Sequence, residues 1–124
     1  MNYIVDTHAF IWNESGDSKL SSSAFNIIQI PRLIKNVSFA VLLEIAIKVS
    51  IGKLELQTTF EELIKLSGYQ LLNFQPIHAL RLSQLPLHHR DPFDRIMIAQ
   101  SLIEDFPIIS NDLMFDSYGV KRIW

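Results

Sequence analysis

Short runs of β-branched and aromatic residues alternate along this chain with longer stretches of helical character, and turn formers mark the boundaries. Met1–Val5 reads as a buried strand that ends at Asp6. Tyr69–Phe74 suits a second, Pro107–Ser110 a short apolar third and Val120–Trp124 a last one, while Val37–Ser38 is either a strand end or a helix entry. Between them the spacing predicts helices over Leu20–Gln29, over Ala40–Ile51 with Ser38 or a neighbour as cap and Gly52 just past the end, and over Thr59–Ser67 with Gly68 as stop. Two more follow, over Pro76–Gln84 and, most clearly, over Pro92–Asp105. Strands that alternate with helices are accommodated by a parallel sheet covered on both faces, so the expected class is α/β. No repeat, low-complexity tract or Pro/Gly/Ser linker interrupts the 124 residues, and a single domain over 1–124 is expected.

Composition bounds the function. Hydrophobic residues make up 48% and charged residues 19%, enough for a core and too little charge for a disordered chain. The mean hydropathy of +0.19 leaves two readings open, a surplus of apolar surface for a dimer or protein partner, or simply a dense core. Without cysteine there is no disulfide, thiolate metal site or cysteine nucleophile, which fits a reducing cytoplasm. The N-terminus carries no signal-peptide pattern. Phe39–Ile51, the longest greasy stretch, is too short for a bilayer and contains Glu44 and Lys48, so a protein of the cytoplasm without membrane contact is expected. A net charge of −2 and a pI near 6.0 argue against a nucleic-acid binder, unless several carboxylates hold divalent cations and reverse the local field.

Four acids fit poorly with a purely structural role. Asp6 and Asp112 each follow an apolar strand, and ligands of open α/β sheets bind beyond the carboxyl ends of strands, although aspartate also starts ordinary turns. Glu44 lies in a helix that is apolar almost all round; such helices are buried, and a buried carboxylate needs a partner. The alternative is an i,i+4 pair with Lys48. In Asp91-Pro92-Phe93-Asp94, Asp91 suits the N-cap, Pro92 the first helical position and Asp94 the acid favoured by the helix dipole, but a cap accounts for Asp94 only in part. Arg95 is placed to pair with Asp91 or to reach a phosphate. Should Asp6, Glu44, Asp94 and Asp112 converge, they would bind a hard cation such as Mg²⁺ and support metal-assisted phosphodiester hydrolysis.

The histidines admit other readings. His88 and His89 adjoin on a loop, where such pairs are more often solvated, yet they could serve as acid and base of a metal-free ribonuclease. His8 lies two residues beyond Asp6 and near any site there; His78 reads as a helix-surface or packing residue. No nucleophile elbow, Walker loop or dinucleotide fingerprint is present.

In order, Val5-Asp6-Thr7-His8-Ala9-Phe10-Ile11-Trp12, Leu43-Glu44-Ile45-Ala46-Ile47-Lys48 with Gly52-Lys53-Leu54, Leu85-Pro86 through His89-Arg90-Asp91-Pro92-Phe93-Asp94-Arg95 into Ile98-Ala99-Gln100, and Ser110-Asn111-Asp112 with Phe115 and Tyr118 resemble the PIN-domain family, in its VapC-like toxin subgroup. The resemblance spans nearly the whole chain. It implies a three-layer α/β/α sandwich with a five-stranded parallel sheet, a Mg²⁺ or Mn²⁺ site, RNA cleavage, dimerisation, and a cognate VapB-like antitoxin that blocks the site. Asp6, Glu44, Asp94 and Asp112 match the four family acids. Asp91 is the subgroup's extra aspartate, an outer-shell residue or cap, and Thr7 and Ser110 match its small hydroxyl neighbours. Leu43 stands where tryptophan is usual and Val41 where a small polar residue is, changes that touch packing around Glu44 rather than its carboxylate. Lys48, Lys53, Arg90 and Arg95 are candidates for RNA backbone phosphates. The expectation is thus a metal-dependent endoribonuclease of a toxin–antitoxin pair, the alternatives being a DNA nuclease with the same acids and a silent PIN-like binding module.

Overall fold

A computed structural model describes residues 1–124, apart from the side chain of Leu66. The chain runs β1 (Asn2–Val5), α1 (Thr7–Ser15), α2 (Ser22–Ile28), β2 (Ile34–Ser38), α3 (Phe39–Ser50), α4 (Phe60–Leu66), β3 (Gln70–Leu72), α5 (Pro76–Ser83), α6 (Pro92–Glu104), β4 (Ile108–Ile109), a 3₁₀ helix (Leu113–Tyr118) and β5 (Arg122–Ile123). The five strands form one all-parallel sheet in the order β3-β2-β1-β4-β5. Helices flank it, giving the three-layer α/β/α sandwich.

The centre of the sheet is as apolar as two covered faces demand. Tyr3, Ile4, Val5, Ile108 and Ile109 are fully enclosed, and so are Met97, Ile98 and Ala99 of α6. The chain builds outward from β1 through β2 to β3, then crosses back to add β4 on the other side of β1. This reversal opens a crevice at the carboxyl ends of β1 and β4, the place where sheets of this kind bind ligands. The register pairs Val5 with Ile109, so Asp6 and Ser110 emerge side by side at its floor.

Polar threads tie the layers together. Gln100 of α6, fully buried, accepts from the Ser38 hydroxyl at 2.6 Å and donates to the Leu72 carbonyl at 3.2 Å, linking the ends of β2 and β3. The buried amide of Asn36 donates to the Tyr3 carbonyl at 3.0 Å. His78 is also fully buried: its Nδ1 accepts from the Gln75 N–H at 2.9 Å and its Nε2 meets Glu104 at 2.9 Å. It is therefore a packing residue that joins α5 to α6.

The structure departs from the sequence reading in four places. Residues 7–15 form a helix that was not foreseen, because Ala9-Phe10-Ile11-Trp12 is an unbroken apolar block without helical periodicity. Its ends are set instead by the Asp6 cap and by Gly16, whose left-handed backbone (φ 67°) donates to the Asn13 carbonyl. Strand β2 begins three residues before Val37, the sheet drawing Ile34–Asn36 into pairing with β1. Leu113–Tyr118 forms the 3₁₀ helix. Finally, α3 is not buried all round. Ala40, Val41 and Ile45 face the core, whereas Phe39, Leu43, Ile47 and Ile51 are 37%, 38%, 43% and 59% exposed. A helix in an outer layer has one face that the sheet cannot reach, whatever its composition.

Candidate active site

Asp6 stands where β1 ends and α1 begins. Its extended backbone (φ −73°, ψ 171°) is that of an N-cap, and Oδ1 accepts from the Ala9 N–H at 2.8 Å. Only 5% of the residue is exposed. That burial raises its pKa, against the lowering effect of hydrogen bonds from the Ser110 hydroxyl and the Ala9 N–H; the charge of Asp112 adds to the rise. Next along, Thr7 donates its hydroxyl to Glu44 Oε1 at 2.8 Å, bringing α3 to the lip of the crevice. Glu44 also holds Lys48 through Oε2 at 3.2 Å. Its side chain is 18% exposed, so the i,i+4 pair and the Thr7 hydrogen bond coexist. The solvated Lys48 flank lets Glu44 remain where a fully enclosed carboxylate would be costly.

The second half of the site comes from the start of α6. Asp91 Oδ1 accepts from the N–H groups of Phe93 at 2.9 Å and Asp94 at 3.1 Å, and Pro92 needs no donor partner at the first helical position. With Asp91 serving the backbone, Asp94 is turned inward. Partial burial pushes its pKa up to about 6, the charges of Asp91 and Asp6 pushing the same way and the His89 hydrogen bond opposing them. Asp112 closes the group from the β4 side. It caps the 3₁₀ helix through Oδ1 to the Met114 N–H at 2.9 Å, and its own N–H donates to Ser110 Oγ at 3.0 Å.

Asp6, Asp94 and Asp112, from three distant segments, are thus close enough for Asp6 to raise Asp94 and for Asp112 to raise Asp6. Mutual repulsion of this kind is what a divalent cation reverses, and the donors are the hard oxygens that Mg²⁺ and Mn²⁺ take. The residues fit such an ion. Among the described residues, Glu44 is held by Thr7 and Lys48 and makes no hydrogen bond with these three acids. Among the described residues, the tightest set of metal-ligating atoms is one imidazole nitrogen of His89 with single oxygens of Asp94 and Asp112, all within 4.8 Å of one another.

His89, read from sequence as solvated or else as half of an acid–base pair, instead sits beside Asp94. Its Nε2 meets Asp94 Oδ2 at 2.7 Å. A usable signal was its place two residues before the Asp91 cap, which returns the ring toward the first turn of α6. Tyr118 was also missed as an organiser: its hydroxyl oxygen accepts from the N–H groups of His88 at 3.0 Å and His89 at 2.9 Å. Arg95 Nη1 joins it at 3.2 Å and donates to the Pro86 carbonyl at 3.0 Å. The Asp91–Arg95 pair, one of the two roles open to Arg95, is not among the ion pairs of the described residues; the guanidinium braces the 86–91 loop. Arg90 and Lys53 are exposed, and His8 stacks on Trp12 at 5.6 Å.

An all-parallel sandwich with carboxylates gathered at its switch point defines a class of α/β domain whose acids could hold a cation. The sequence of residues 3–121 matches the PIN domain model, and the chain belongs to that family. No protein of curated function matches the chain in sequence. Solved structures with the same fold include VapBC2 from Rickettsia felis bound to a DNA fragment from its promoter, at 16% identity over 99% of this chain and 98% of that one, TM-score 0.73. FitAcB from Neisseria gonorrhoeae follows at 13% identity, 100% and 97% coverage and TM-score 0.71. VapBC-1 from nontypeable Haemophilus influenzae has 16% identity, 99% and 97% coverage and TM-score 0.66.

Proposed function

We propose that this chain is a metal-dependent endoribonuclease, the VapC-type toxin of a toxin–antitoxin pair, acting in the cytoplasm. The convergence of Asp6, Asp94 and Asp112 at the β1/β4 switch point carries the reading. These three, with Glu44, would hold Mg²⁺ or Mn²⁺, which when bound lowers the pKa of water and neutralises charge on a phosphodiester. Ser110 and the Ala9 N–H fix the Asp6 carboxylate; Asp91 frees Asp94 by taking the helix N–H groups itself. Thr7 holds one oxygen of Glu44, leaving this carboxylate oriented at the lip to place a water. Lys48, Lys53 and Arg90 are the cations for RNA phosphates, while Arg95 serves the loop first.

Partners follow from what is left uncovered. The exposed stripe Phe39, Leu43 and Ile47 on α3, with Ile51 at its C-cap, is apolar surface suited to a second copy of the chain. Ile77 and Leu80 on α5, with Leu87, form further apolar surface for an antitoxin. The named neighbours are VapBC and FitAB assemblies, which supports an antitoxin partner here. Among the described residues no helix is long and apolar enough to cross a membrane.

The test compares cleavage of matched RNA and DNA oligonucleotides with Mn²⁺, with Mg²⁺ and with EDTA. RNA cleavage that needs metal is expected, falling at least about a hundredfold in Asp6→Asn, a change that keeps the α1 cap because asparagine caps as well as aspartate. Full activity of Asp6→Asn at saturating metal, or activity that survives EDTA, overturns the reading. Preferential DNA cleavage reassigns the substrate.

A further inference from the structure

We propose that His89 supplies an imidazole nitrogen to the divalent-cation site alongside Asp94 and Asp112, and that this nitrogen tilts the site from Mg²⁺ toward Mn²⁺ and other first-row ions. The proposal rests on the nuclease reading only in assuming that the carboxylates bind metal.

Three observations carry it. First, one imidazole nitrogen of His89, an oxygen of Asp94 and an oxygen of Asp112 are mutually within 4.8 Å, although they come from a loop, from the first turn of α6 and from the cap of the 3₁₀ helix. A histidine that merely pairs with Asp94 has no need to approach Asp112 as well. Second, the same three side chains line one narrow, closed gap together with the apolar Ile98, Met114 and Phe115. Third, the loop that presents the ring is tied on both sides of its peptide. The His89 N–H donates to Tyr118 Oη at 2.9 Å, and Arg95 Nη1 lies 3.4 Å from the His89 carbonyl and 3.0 Å from that of Pro86. The backbone is held while the side chain, 24% exposed, keeps room to turn.

The geometry asks for little rearrangement. Two donors at right angles around one ion, each about 2.1 Å from it, stand about 3 Å apart. The Nε2–Oδ2 contact of 2.7 Å therefore has to widen by only a few tenths of an ångström. In the tautomer that carries its single ring proton on Nε2, His89 donates to Asp94; ligation through Nε2 requires the other neutral tautomer, so that proton passes through solvent to Nδ1 and the ion takes the Nε2 lone pair. The consequence is selectivity. Carboxylates suit Mg²⁺ and Mn²⁺ alike, but Mg²⁺ dehydrates reluctantly, whereas an added imidazole nitrogen favours first-row ions over it, Mn²⁺ the least of them and the later ions more.

The experiment is Mn²⁺ binding to the whole chain, read by calorimetry and by pulsed electron paramagnetic resonance for nitrogen coupling, with Mg²⁺ titrated in parallel. Saturable Mn²⁺ binding with a ¹⁴N coupling is expected. His89→Ala should abolish that coupling and weaken Mn²⁺ at least about tenfold while changing Mg²⁺ affinity much less. His88→Ala, on the neighbouring position, should keep both. Thermal melts of each variant confirm that the fold survives. Mn²⁺ bound without nitrogen coupling, or a coupling that persists in His89→Ala, overturns this proposal and leaves the nuclease reading standing. No saturable Mn²⁺ binding overturns both.

Discussion

At the residue scale, the site is a contest between burial and charge. Asp94 has its pKa pushed up to about 6 in the fold, against an ordinary aspartate value of 3.8 in the unfolded chain. A folded-state pKa above the unfolded one means that protonated Asp94 suits the metal-free fold. Its contribution is most favourable below about 3.8 and is lost as pH rises through about 6, a swing of about 2–3 kcal/mol. Asp6, also raised, acts in the same direction. A bound cation inverts this, because it interacts with the ionised forms. Adding Mn²⁺ is therefore expected to raise the melting temperature more at pH 7.5 than at pH 5. An equal or larger rise at pH 5 would show that these carboxylates are not where the metal goes. Metal-free Asp94→Asn should also lose much of the pH dependence between those values.

At the element scale, the site is assembled by caps. Asp6 opens α1, Asp91 opens α6 and Asp112 opens the 3₁₀ helix, so the chain reuses helix starts to aim carboxylates at one crevice. Asp91 spends both short bonds on the backbone and so remains a cap, while Asp94 is left available. Gln100 performs the corresponding task for the strands, holding Ser38 and the Leu72 carbonyl. Among the described residues no buried side-chain nitrogen or oxygen lacks a partner, as expected for a core that tolerates Asn36, His78 and Gln100. The least redundant tie is Tyr118. Tyr118→Phe removes one oxygen that serves two backbone N–H groups and a guanidinium, at a cost of about 1–2 kcal/mol. Hydrogen exchange should show His88 and His89 amides losing protection while β1 and β4 keep theirs. Unchanged protection at 88 and 89 would mean that the loop is held by something other than the phenol.

At the scale of the whole molecule, the strand order places the site and leaves apolar surface outside it. The stripe on α3 contributes little to the monomer's own core, so Leu43→Glu with Ile47→Glu should alter monomer stability by only about 1 kcal/mol or less. The same pair should lower self-association measured by sedimentation. A double variant that dimerises as well as the parent would move the dimer contact to another face.

Much of this was legible in the residues. The apolar runs, the caps at Ser38, Thr59 and Asp91, and the glycines at 52 and 68 mark most helices and strands, because these are local properties of the backbone and its neighbours. The four acids stood out together, because turns, caps and an i,i+4 pair account for each singly but give no reason for carboxylates at two strand ends, in a greasy helix and just inside the α6 cap. Other features depend on partners remote in sequence. Helix α1 is set by its caps and by what Phe10 packs against, not by periodicity. The start of β2 is decided by pairing with β1. His89 looked solvated because nothing within its own segment reveals that Asp112 and Tyr118 lie opposite. Arg95 looked free for a phosphate because the carbonyls that occupy it belong to a loop whose path no local rule fixes. The chain's chemistry was written in residue types, which carry their donors and charges wherever they go. Which of those donors meet was decided by the return of the chain across β1, since proximity between distant segments is a property of packing and not of spacing.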